Sequence, residues 1–161
     1  MPKPSAEGAP SSDVVVVQTY FDVTLRADGI VWLERTAAVY PSVQGVHQAY
    51  DEFLRQVDDW ALGRRIKSGN LGTKTRSPLA WLFDVRAAPA RRNDPEFERV
   101  VEERRKELLQ RSPLLAILVR TASGKMQVTR MARSGGANLM VFDDSSAAVA
   151  ALLAGMNQVF G

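Results

Sequence analysis

Apolar and polar residues alternate at period two from Tyr20 to Leu25, where Phe21, Val23 and Leu25 fall on one side, and again less cleanly over Ile30-Val31-Trp32-Leu33. Between them Arg26-Ala27-Asp28-Gly29 has the composition of a hairpin turn, with Gly29 free to take a positive φ. Two antiparallel strands are therefore expected here, preceded by a β-branched run, Val14 to Val17. After Pro41-Ser42 the period changes. Val46, Tyr50, Phe53, Leu54, Val57 and Trp60 recur every three or four residues, which predicts a helix with one apolar face, and Gly63 is a natural stop. Periodicity then disappears from Gly63 to Pro78, which reads as a long loop.

Leu79 to Val85 is continuously apolar up to Asp84, the pattern of a strand covered on both faces. Asp94 can cap a following helix with Pro95 in its first turn, where the missing N–H costs nothing, and Glu96 and Glu98 suit the positive end of the helix dipole. Phe97, Val100, Val101 and Leu108 line one side of that helix, and Arg111-Ser112-Pro113 ends it. Leu114 to Val119 is a second buried strand, and Leu139 to Phe142 a short third one. Between them Lys125 to Arg133 fits a short helix and a strand equally well, and periodicity does not decide. Asp143 or Asp144 caps a last helix, Ala147 to Leu153, which Gly155 closes.

Strands that alternate with helices imply a mostly parallel central sheet with right-handed crossovers, here with an antiparallel strand pair at its start and three to four helices. The expected organisation is a tail over residues 1–13, rich in proline and serine, a single domain over 14–155 and a short tail over 156–161. At 161 residues and 45 % hydrophobic composition the chain suits one globular core. It has no cysteine, hence no disulfide and no cysteine-based metal site, and no apolar run long enough to cross a membrane; a cytoplasmic protein is expected. The net charge of +3 is unevenly placed: Arg64, Arg65, Lys67, Lys74 and Arg76 give residues 61–77 a local +5, leaving the rest at −2.

Three stretches carry a family likeness. Trp81-Leu82-Phe83-Asp84-Val85-Arg86 with Asn93-Asp94-Pro95-Glu96-Phe97 resembles the central strand and second helix of the STAS-like fold family, which includes bacterial anti-sigma-factor antagonists and their sporulation-type relatives. Lys125 to Ala132 resembles their short third helix, and Val141 to Ala148 their last strand and helix. The resemblance spans Tyr20 to Gly155 and implies a STAS-like α/β fold and a non-enzymatic signalling or regulatory role through contact with a protein partner. In the best-known members a serine at the start of the second helix is phosphorylated to release the partner. Here Asp84-Val85-Arg86-Ala87-Ala88-Pro89-Ala90 holds no hydroxyl, which departs from that pattern and removes the switch.

The candidate contact residues follow from the topology, since ligands of open α/β sheets meet the carboxyl ends of the strands. They are Arg86, Arg91, Arg92 and Asn93 beside the Asp94 helix, with Thr121, Ser123, Asp143 and Asp144 after the neighbouring strands. Free helix N–H groups and guanidiniums there suit a phosphate or a partner's carboxylate. Arg64, Arg65, Lys67, Lys74 and Arg76 form a second candidate, for nucleic acid, an anionic membrane surface or an acidic protein, at the opposite end of the strand. Gly69 to Thr75 lacks the Gly-Lys-Ser/Thr order of a phosphate loop and precedes a strand, so nucleoside-triphosphatase activity is excluded. His47, the only histidine, has Asp51 one turn on and no nucleophile nearby, and reads as structural. No catalytic, metal or cofactor residues are assigned. Protein–protein contact, self-association included, is the first expectation; a lipid or nucleotide carrier with a pocket between the first helix and the sheet, and anion binding through 61–77, are the alternatives.

Overall fold

The structure, a computed structural model, describes residues 13–68, 80–90, 93–111, 114–121, 126 and 139–160, with the backbone alone at 64–68, 109, 139, 159 and 160. The strands are β1 (Val14–Val17), β2 (Phe21–Leu25), β3 (Ile30–Arg35), β4 (Ala80–Asp84), β5 (Leu115–Leu118) and β6 (Leu139–Phe142), and the helices among the described residues are α1 (Val43–Ser68), α2 (Pro95–Arg111) and α3 (Ser145–Phe160). The six strands lie side by side in chain order. β1–β2 and β2–β3 pair antiparallel, while β3–β4, β4–β5 and β5–β6 pair parallel. This is the expected mixed α/β sheet. The antiparallel pair has gained a third member, because the Val14–Val17 run joins as an outer edge strand.

The β2–β3 turn forms as its composition predicts. Gly29 sits at φ 94°, a conformation that only glycine adopts without strain, and its N–H donates to the Arg26 carbonyl at 3.0 Å. Asp28 closes the same turn by accepting from the Ile30 N–H and the Arg26 guanidinium.

The sheet divides the core in two. Phe21, Val23, Val31, Leu33, Trp81, Phe83, Leu115 and Ile117 face the side covered by α1 and α2, which contribute Tyr50, Phe53, Val57, Phe97 and Leu108. Ile30, Ala80, Leu82, Ala116 and Leu118 face the other side, where α3 supplies Ala148 and Leu152. The aromatic contacts lie under α1, with Phe21 edge-on to Tyr50 and Phe53 and Phe53 edge-on to Trp81. Trp81 is thus a core residue, while Trp32 and Trp60 are half-buried.

Three expected boundaries are corrected. α1 does not stop at Gly63 but runs to Ser68, so the first six residues of the expected 63–78 loop are helical. A glycine ends a helix where the backbone turns left-handed, and Gly63 does not: Gly29 is the only described glycine with positive φ. Arg64, Arg65 and Lys67 consequently occupy the last turns of α1, where the helix dipole favours cations. α3 starts two residues earlier than expected and passes through Gly155 to Phe160, so the expected tail 156–161 is helix up to Phe160. Gly155 serves close approach instead of termination, since a Cβ there would meet Leu114 Cδ2 at 3.0 Å. Of the undecided segment 125–133 only Met126 is described, helical and exposed.

The two-sided burial predicts a steep contrast. Leu82→Ala, fully buried under α3, should cost about 3 kcal/mol, and Val17→Ala at the exposed edge less than about 0.5 kcal/mol, both read from urea denaturation midpoints. Equal losses would mean that β1 is covered.

Candidate functional site

The carboxyl ends of β4, β5 and β6 lie side by side, so the residues that follow them share one edge. Asp84 closes β4 with its side chain on the α3 side of the sheet, 1 % exposed and the only buried acid among the described residues. A buried carboxylate must be met by donors. Arg86, two residues on, meets it with a fork: Nε donates to Oδ1 at 3.0 Å and Nη2 to Oδ2 at 2.8 Å, while its backbone N–H donates to Oδ1 at 3.1 Å. The Trp32 indole N–H on β3 adds a longer bond to Oδ2, 3.4 Å. The pair locks the first turn of the loop, where the Ala88 N–H also donates to the Val85 carbonyl.

Arg86, a candidate contact residue, thus has its fork engaged by Asp84 while its side chain stays 40 % exposed. Asp94 and Asp144 are helix caps, the first accepting from the Phe97 N–H at 3.2 Å and the second from the Ala147 N–H at 2.9 Å. Around them Asn93, Arg120, Thr121 and Asp143 are exposed, and Arg86 is within electrostatic reach of Asp144 and Glu34. Arg86, Thr121, Asp143 and Asp144 therefore do share an edge, as the topology predicted. Arg91, Arg92 and Ser123 lie outside the described residues, as do Lys74 and Arg76 and the side chains of Arg64, Arg65 and Lys67.

Strand pairing adds a feature that periodicity could not reveal. Asp22, Glu34 and Asp84 stand opposite one another on β2, β3 and β4, a cross-strand row of three carboxylates with Arg86 as the cation. Burial and the Asp84 and Asp22 charges push the exposed Glu34 carboxyl up from its ordinary value, with Arg86 opposing. The signal was present as acids at alternate polar positions of two strands, but their alignment depends on register.

On the helical side, ion pairs tie α2 to α1. Arg104 donates to Asp51 at 2.6 Å and Arg111 to Asp58 at 2.7 Å, each spanning 53 residues. They border an open groove of about 420 Å³ that Arg55, Asp59 and Glu107 also line. Asp51, the expected neighbour of His47, is thus engaged by Arg104. Arg35 is 6 % exposed with no carboxylate partner among the described residues; it donates to the Thr36 carbonyl at 2.6 Å and stacks over Tyr40 at 4.3 Å, fastening the end of β3. Burial pushes the Tyr40 hydroxyl far up.

No helix is long and apolar enough to cross a membrane, and no group of acids and histidines able to hold a metal occurs, both among the described residues. No protein-family model matches the chain, no curated protein matches it, and no solved structure matches it.

Two outcomes follow. A double-mutant cycle of Asp84→Asn and Arg86→Gln should read a coupling of about 1–2 kcal/mol by chemical denaturation, since the pair is charge-assisted but Arg86 is partly exposed; a coupling near zero would mean that something else holds the loop. For Glu34, the folded state binds the proton more tightly than the unfolded chain. Its contribution favours folding below the ordinary carboxylate value and is lost as pH rises through the raised one. At neutral pH Glu34→Gln should therefore raise Tm by about 1–2 °C, a gain that shrinks in acid and, through screening, at high salt. A lowered Tm at pH 7 would show that the carboxylate is compensated.

Proposed function

We propose that this chain is a non-catalytic regulatory or scaffolding domain of the bacterial cytoplasm, acting by protein–protein contact at the carboxyl edge of its sheet. The observation that carries this reading is the Asp84–Arg86 lock. It fixes the first turn of the loop after β4 beside exposed Arg120, Thr121 and Asp143, so a partner meets a partly preformed polar surface and orders less on docking. The resemblance of the β4, α2 and β6–α3 stretches to STAS-like regulators supports the same reading. With no hydroxyl between Asp84 and Ala90, regulation by phosphorylation at the start of α2 has no acceptor in that stretch, which favours a fixed docking surface.

The carrier alternative loses support where it would need space. Phe21, Tyr50, Phe53 and Trp81 fill the region between α1 and the sheet with ring-to-ring contacts of 4.9–6.4 Å.

The test uses the full chain as bait for cross-linking mass spectrometry in bacterial lysate, beside an Arg120→Glu/Asp143→Lys variant whose fold is checked by circular dichroism. Cross-links from the carboxyl edge to one protein, reduced at least tenfold with the variant, are expected. Equal recovery by both baits, or no cross-linked protein, would remove the reading.

A further inference from the structure

The sheet carries a second surface, at its other side, that the carboxyl-edge reading does not use. β1 is the outermost strand and consists of four valines. Gln18 donates its backbone N–H to the Phe21 carbonyl in the β1–β2 register, so Val16 and Val14 also turn their backbone groups inward, towards Val23 and Leu25. The alternate residues, Val15 and Val17, turn theirs outward. Among the described residues their N–H and C=O groups form an unpaired edge, and the two valines are 62 % and 76 % exposed. Native edges are normally blunted by a charge, a proline or a bulge. β1 has none of these; its register against β2 runs without interruption.

The face beside this edge has a definite chemistry. α3 packs chiefly against β4, β5 and β6. On the same side of the sheet the meander presents Val17, Asp22 and Glu34 in one row and Val15, Thr24 and Trp32 in the next. Arg86, the cation of the first row, forks onto Asp84 and reaches Glu34 only at longer range, so Asp22 and Glu34 face the open side with no ion-pair partner among the described residues. A second copy of the chain fits this surface poorly. Two-fold antiparallel pairing of β1 keeps like faces together, bringing two acidic rows onto one side. It also joins only four residues from each chain, against roughly 20–30 a side in stable interfaces.

We propose that β1 is a docking edge for an extended, basic segment of a partner protein, which adds a seventh strand to the sheet. Its backbone pairs with the outward groups of Val15 and Val17. An apolar residue covers Val15, and a lysine or arginine opposite Val17 reaches across it to Asp22. Adjacent strands are roughly 4.8 Å apart, so the added strand lies two spacings from β2, within reach of a long cationic side chain.

The probe is a capped peptide that carries a valine and a lysine two residues apart, hence on one face of the extended chain, with threonine at its other positions, compared with its glutamate-for-lysine counterpart by titration of the isotope-labelled full chain in NMR. The basic peptide should shift amides at residues 14–18 and their β2 neighbours and bind at least tenfold more tightly than the acidic one, with an advantage that falls as salt rises. Val17→Pro removes one outward donor without touching the inward ladder and should weaken binding at least tenfold. Asp22→Lys/Glu34→Lys, which leaves the edge backbone intact, should abolish the preference for the basic peptide even if the proline variant fails to fold. No binding at millimolar concentration, equal binding of both peptides, shifts away from β1, or a dimer that protects the Val15 and Val17 amides would each overturn the proposal. The Arg120→Glu/Asp143→Lys variant should bind the peptide like the parent chain, which separates this result from that of the carboxyl-edge reading.

Discussion

Five successive residues, Ala80 to Asp84, are all buried, and a strand of that kind is stable only where both faces of a sheet are covered. Most of the architecture answers to this. α1 and α2 close over Trp81 and Phe83 on one side, and α3 closes over Ala80 and Leu82 on the other. The last of the five is an acid, so burial that costs nothing for alanine or leucine requires a cation for Asp84. Arg86 supplies it from two residues on, and in doing so it fixes the path of the chain leaving the strand. The constraint that organises the core thereby also shapes the carboxyl edge of the sheet.

The fold was largely legible because its signals are local. Period two marked β2 and β3, period three to four marked α1, and Asp94-Pro95 opened α2 where it begins. The glycines misled. Gly63 and Gly155 were read as stops on composition alone, yet a glycine ends a helix only when the backbone needs its freedom; at Gly155 the missing side chain makes room for Leu114 instead. The site was legible as an edge and much less so as chemistry. Topology placed Arg86, Thr121, Asp143 and Asp144 together, but whether an arginine is free or committed depends on where the nearest acid points. An acid that ends an apolar run, followed two residues later by arginine, is a usable sign of such a lock. The Arg104–Asp51 and Arg111–Asp58 ties had no comparable sign, because each joins two helices through a contact that spans 53 residues.

The two sides of the molecule are asymmetric in a way that bears on its interactions. The α1–α2 side is closed by a dense aromatic core and tied by ion pairs between the helices. The opposite side is half closed: α3 shields the parallel strands, and the antiparallel meander presents valines, a tryptophan and two acids. A domain with one sealed layer and one partly open layer is well disposed to present surface without loosening its core.

The strand order carries a consequence for how such a chain assembles. Every strand pairs with the one synthesised just before it, so the sheet has no interior slot waiting for a later segment. As the chain emerges from the ribosome the sheet extends from one side, and no completed pair has to reopen. The last helix reaches back over β4 and β5, and until α3 arrives Leu82, Ala116 and Leu118 lack its cover. The interval between the synthesis of β4 and that of α3 is therefore when the nascent protein is most exposed to aggregation, and the apolar surface at risk then is the one that the finished fold hides most completely.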